Sequence, residues 1–122
     1  MTDTGLRGPR FGEEGGQLSY GSYLRLPQLL GQQMPESDPP AHDELLFITV
    51  HQAYELWFKL LLFELGAARD RMFAGDLWSA RHLLERAASV EQVLVAQLPV
   101  IETMSTDGVP PQASGLRFTT AS

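Results

Sequence analysis

The stretch that most limits what this chain can fold into runs from Leu45 to Phe73, which holds no proline and a single glycine, Gly66. Large apolar residues recur there at Phe47, Val50, Tyr54, Trp57, Leu61 and Leu65, three or four apart. Side chains at that spacing share one face of an α-helix, so the run predicts an amphipathic helix. Leu46, Phe58, Leu60, Leu62 and Phe63 widen the stripe, which predicts a helix covered on more than one side. The acids of His42-Asp43-Glu44 suit the positive end of a helix dipole, placing the start near His42. Gly75-Asp76 then supplies a stop and a new N-cap.

A second helix is expected from Leu77 to Glu102, with apolar positions at Leu83, Leu84, Ala87, Val90, Leu94 and Leu98. Pro99 should kink or shorten it. The short connection makes the two helices antiparallel neighbours. Residues 1–17 are rich in glycine and polar types and are expected to be disordered. Pro27 suits the first turn of a brief helix within a short apolar element from Leu18 to Leu30, with the residues before it extended. Gly31 to Ala41, with three prolines, predicts a loop, and residues 105–122 an irregular tail. The fold class expected is therefore all-α: two long antiparallel helices plus a short N-terminal element. Each helix carries more apolar surface than one partner covers, so the pattern also predicts a fragment of a larger helical fold.

Charge and composition narrow the function. Fifteen acids against nine Lys and Arg give a formal charge of −6. The basic residues are scattered singly, which disfavours nucleic acid and anionic membranes as partners. No cysteine is present, which excludes disulfides, thiolate metal sites and cysteine nucleophiles and fits a cytoplasmic protein. The start lacks the apolar stretch of a signal peptide, and no apolar run is expected to reach the length of a spanning helix.

Of the three histidines, His42, His51 and His82, only His51 lies amid aromatic residues on a helix, near Phe47, Tyr54 and Phe58. From spacing alone it reads as a hydrogen-bonded core residue or as a ligand or base. Glu55, four residues on, is placed to pair with His51, to share a metal, or to form a surface ion pair with Lys59. The Glu-x-x-His repeat of a di-iron bundle is missing, as are a phosphate-binding glycine loop and a nucleophile elbow.

The run from Leu45 to Leu61, L-L-F-I-T-V-H-Q-A-Y-E-L-W-F-K-L-L, resembles the signature helix of the tryptophan 2,3-dioxygenases, E-x-L-F-I-x-x-H-Q-x-x-E-L-W-x-K, with Glu44 as its leading acid. The likeness extends upstream to Tyr20-Gly21-Ser22-Tyr23-Leu24 and downstream through Trp78-Ser79-Ala80-Arg81 to Ile101-Glu102-Thr103-Met104, about residues 18–104. The resemblance implies an all-α haem b enzyme that joins L-tryptophan and O2 to give N-formylkynurenine, working as a cytoplasmic homotetramer. It implies that His51 is the distal, catalytic histidine, accepting a hydrogen bond from the indole N–H. Phe47, Ile48, Thr49 and Val50 would join it in binding substrate, with Phe47 against the indole ring. Tyr20, Tyr23 and Leu24 would reach into a neighbouring subunit's pocket. Beyond Met104 only Ala113-Ser114-Gly115 keeps the family pattern, so Arg117 is given no carboxylate-binding role. Neither His42 nor His82 matches the family's axial-histidine motif, so no haem ligand is expected in this chain. The expectation is of a truncated or frameshifted member, inactive alone. The rival readings are a non-enzymatic helical interaction module and a small metal-binding protein built on His51 and Glu55.

Overall fold

The computed structural model describes residues 18–104. The expectations of disorder for residues 1–17 and of an irregular tail from 105 to 122 lie outside the described residues. The chain divides into two compact units, Met1–Met34 and Pro35–Ser122.

In the first unit α1 (Tyr20–Tyr23) and α2 (Leu26–Leu29) are single turns of helix. The residues before Pro27 were expected to be extended, and the difference has a local cause. Ser19 and Ser22 cap each other: Ser22 N–H donates to Ser19 Oγ at 3.3 Å and Ser19 N–H to Ser22 Oγ at 2.8 Å. That reciprocal pair satisfies two otherwise orphaned donors and closes a helical turn. Pro27 sits in the first turn of α2, where its missing N–H costs nothing.

The second unit is a helical hairpin. Helix α3 (Glu44–Phe73) is unbroken, and α4 (Leu77–Ala96) is followed by α5 (Leu98–Glu102). The single second helix expected to Glu102 is interrupted at Gln97, as Pro99 requires: a proline has no N–H to continue the i→i−4 ladder. No strand occurs among the described residues. Two links fix the pairing: Tyr54 on α3 reaches Leu94 on α4, and Glu64 reaches Arg86. The residue number falls on one helix as it rises on the other, so the two run antiparallel. The stripe Val50, Tyr54, Trp57, Leu61, Glu64, Ala68 therefore faces α4. On α4 the matching stripe is Ala80, Leu83, Ala87, Val90 and Leu94, in which Ala80, Ala87 and Val90 are buried. Alanines at Ala68, Ala80 and Ala87 let the two backbones approach closely.

The turn between the helices is built as its sequence predicts. Gly75 takes φ 81°, the left-handed region, and its N–H donates to Met72 O at 3.0 Å while Asp76 N–H donates to Arg71 O at 2.9 Å. These are the two bonds of a Schellman ending. Asp76 Oδ1 then accepts from Ser79 N–H at 3.1 Å and caps α4. A Cβ at Gly75 would meet nothing within 4 Å, so a side chain there costs only backbone strain. Gly75→Ala is expected to lose about 1 kcal/mol, the penalty of a left-handed L-residue, read as a lower urea midpoint with unchanged slope.

The hairpin leaves much apolar surface outside. Leu45, Leu56, Leu62 and Phe63 on α3 and Val93, Val95, Leu98 and Val100 on α4 and α5 are exposed. Helix α3 is also long and apolar enough, by length and composition alone, to cross a membrane, which corrects the expectation that no run reaches that length. Its partner argues otherwise: α4 carries Arg81, Glu85, Arg86 and Glu91. Charges at that density are costly in hydrocarbon, so the apolar surface of α3 reads as core surface of a larger helical fold.

Candidate functional site

The N-terminal half of α3 carries the residues that matter, and Glu44 fixes how the chain enters it. Glu44 was expected to interact with the helix dipole. It stands in the first turn of α3 as expected, and it is also buried at 2% exposure, its carboxylate accepting from Glu36 N–H at 2.6 Å and from Ser37 N–H and Oγ–H. Ser37 Oγ in turn accepts from Ala41 N–H at 2.9 Å. One carboxylate thus ties the proline-rich loop to the first turn of α3. The Glu36 amide, with the Ser37 hydroxyl, holds the Glu44 carboxyl below the ordinary carboxylate range, and the Ser79 contacts do the same for Asp76. A depressed folded-state pKa contributes stability that is present above the unfolded value and lost as pH falls through the folded one. Helicity should therefore hold between neutral and mildly acidic pH and decline below about pH 4, the unfolded carboxylate range. Glu44→Gln should flatten that decline in an acid titration followed by circular dichroism.

One turn further on lies an aromatic face. The Phe47 and His51 ring centroids are 4.4 Å apart. His51 and Tyr54 meet edge-on at 6.4 Å and 64°, and Tyr54 stacks on Phe58 at 5.9 Å and 18°. His51 Nδ1 lies 2.7 Å from Phe47 O. A carbonyl only accepts, so Nδ1 carries the proton and donates. A neutral imidazole so arranged presents Nε2 as an acceptor. Sequence reasoning missed this bond, because its partner is a backbone atom of the same helix, and the core-histidine reading is right to that extent.

The other expected substrate residues differ in exposure. Consecutive residues point around the helix, and positions three or four apart return to one side. Phe47 and His51 are such a pair. Val50, 7% exposed, belongs to the stripe that faces α4, while Thr49 is exposed and Ile48 is half-buried. Tyr20, Tyr23 and Leu24 belong to the first unit and are exposed there.

The other histidines stand in different settings. His42 is exposed, 4.0 Å from Asp43, and His82 is exposed with Nε2 3.4 Å from Arg86. Among the described residues no group of three or more histidines and acids is placed to hold a metal ion, which removes support from the His51–Glu55 metal reading. Two further polar features could not be read from spacing. Tyr54 Oη donates to Leu94 O at 3.0 Å, and Arg86 lies 3.3 Å from the buried Glu64 carboxylate.

Comparison with known sequences identifies what this helix belongs to. A sequence model of the family described as tryptophan 2,3-dioxygenase matches residues 6–109, wider than the stretch of about 18–104 expected from the motifs. A tryptophan 2,3-dioxygenase of a Nocardioides species is 66% identical over 99 residues, covering 78% of this chain and 37% of that protein. One from Herpetosiphon aurantiacus is 47% identical over 88 residues, covering 72% and 34%, and one from Xanthomonas campestris pv. campestris is 48% identical over 90, covering 74% and 30%. The chain thus spans about a third of the length of the curated relatives it matches.

Proposed function

We propose, because the chain belongs to the tryptophan 2,3-dioxygenase family, that it supplies the substrate-facing part of a haem-dependent dioxygenase converting L-tryptophan and O2 to N-formylkynurenine. The observation that carries the reading is the Phe47–His51 pair, whose Nδ1 bond to Phe47 O fixes the tautomer in which Nε2 is an acceptor nitrogen beside an aromatic ring. An indole is a flat apolar ring with one N–H donor, and this face has the complementary chemistry. Phe47 packs against the ring and His51 Nε2 accepts the N–H, so the two orient the indole 2,3-bond. Ile48, Thr49 and Val50, in the same turn of helix, join them in binding substrate. Tyr20, Tyr23 and Leu24 form an exposed arm for a neighbouring subunit's pocket in a homotetramer.

Haem b, when bound, supplies the activation of O2. The residues present fit one side of such a group. The aromatic face of Phe47, His51, Tyr54 and Phe58 suits the side where substrate lies. His42 and His82 are exposed beside charged groups and lack the apolar surroundings an axial ligand needs, so neither is assigned to iron. The 122-residue polypeptide by itself is therefore expected to bind haem without one-to-one stoichiometry and to form no N-formylkynurenine. A sharp Soret band at one haem per chain, with turnover of tryptophan, contradicts that. A cytoplasmic location goes with the reading.

The test is a chimera in which residues of this chain replace the matching 99-residue segment of the Nocardioides relative. N-formylkynurenine formation at a rate near that of the parent supports the reading. A folded chimera that binds haem and makes none rejects it. The exposed apolar side chains favour a second reading, a helical interaction module without catalysis, and this is the reading that an inactive chimera leaves standing.

A further inference from the structure

We propose that Tyr54 is a positioning residue for His51, its phenol fastened to α4 so that its ring holds the imidazole in one orientation and one tautomer. The proposal rests on the reading of His51 as the group that accepts from substrate.

Helix α4 ends at Ala96, and the carbonyl of Leu94 lies in its last turn, where it also accepts from Gln97 N–H at 3.3 Å. Tyr54 Oη donates to that carbonyl at 3.0 Å, a bond spanning forty residues of sequence. With the hydroxyl fixed at one end and the backbone of α3 at the other, the two side-chain torsions of the phenol have little freedom. Phe58, stacked at 5.9 Å and 18°, lies along the ring. The Tyr54 ring then stands edge-on to the imidazole of His51, 6.4 Å between centroids at 64°. Phe47 lies one turn back, with its ring 4.4 Å from the imidazole and its carbonyl 2.7 Å from Nδ1. The imidazole is thus bounded by Phe47 and Tyr54. A ring flip that exchanged Nδ1 for a carbon would give up the Phe47 bond and turn the imidazole against the fixed phenol. Position 54 can therefore set which nitrogen faces outward without touching the substrate itself.

The experiment reads the tautomer directly. Imidazole nitrogen shifts are measured by NMR on the 15N-labelled full chain, with the exposed His42 and His82 as internal references. Wild type should show the distinct pair of shifts of an Nδ1–H imidazole at His51. Tyr54→Leu removes ring and hydroxyl, and the two shifts should converge toward the average of an unconstrained histidine. Tyr54→Phe removes only the tie to Leu94 and should fall between. Val90→Ala weakens the hairpin at a buried site on α4 and should keep the wild-type pattern. The proposal is overturned if Tyr54→Leu keeps the Nδ1–H signature. It is equally overturned if wild type already averages, or if Val90→Ala averages as much as Tyr54→Leu. These readouts need no haem and no turnover. An inactive chimera with the signature intact thus defeats the functional reading alone, and an active chimera with an averaging His51 defeats the role of Tyr54 alone.

Discussion

Replacing His51 by alanine in the chimera with the Nocardioides relative should cut kcat/KM for tryptophan by about tenfold while leaving the melting temperature nearly unchanged. One neutral hydrogen bond from the indole N–H is worth about 1 kcal/mol net, close to the 1.4 kcal/mol of a tenfold change. The stability side follows from the structure. His51 is half-buried, and its Nδ1 contact is to a carbonyl of its own helix. Phe47 O keeps its helical bond from the backbone N–H of residue 51 when the side chain is cut back. Alanine is also the stronger helix former at an interior position. A histidine that served only the core would give the opposite pattern: a folded population that shrinks, with unchanged turnover per folded molecule. Tryptophan turnover and thermal melting on the same preparation separate the two. A destabilised but fully active His51→Ala chimera removes the distal assignment.

The long helices were legible because their cause is local and repeats. The stop at Gly75 and the cap at Asp76 are written within a few residues of where they act, and the helical stripe from Val50 to Leu61 faces α4, though it continues on Glu64 and Ala68 while Leu65 is exposed. Pro99 announced the break that divides α4 from α5. Less legible were features whose partners lie elsewhere. Glu44 has the spacing of a dipole acid, yet the loop at Glu36 and Ser37 claims its carboxylate. The turn at Tyr20 depends on Ser19 and Ser22, whose sequence resembles a linker as much as a capping box. Tyr54 reads as one more aromatic on a core stripe, and nothing in the sequence points to Leu94 as the acceptor for its hydroxyl. At the candidate site the motif identified a run of consecutive residues. Within that run Val50 is buried, and the hairpin itself needs it.

The largest stability effect is expected at the ion pair of Glu64 on α3 with Arg86 on α4. Glu64 is 6% exposed on the α4-facing stripe, while Arg86, 3.3 Å away, has a side chain 48% exposed. The carboxylate has paid most of its dehydration and the guanidinium has not. Removing the two partners should therefore have unequal results. Arg86→Leu strands a buried carboxylate and should cost about 2 kcal/mol, below the 3–5 kcal/mol of fully buried pairs because water reaches the arginine. Glu64→Leu leaves a half-exposed arginine that turns to solvent, where His82 already lies within 3.4 Å of it, and places an apolar side chain against α4. That change should be close to neutral. The double variant should recover most of what Arg86→Leu loses, because two apolar groups replace the pair and no buried charge remains. The cycle is read from urea midpoints of the four proteins at neutral pH. A loss for the double variant equal to the sum of the single losses means that the pair does not couple the helices, and the hairpin is then held by its alanine and valine contacts alone.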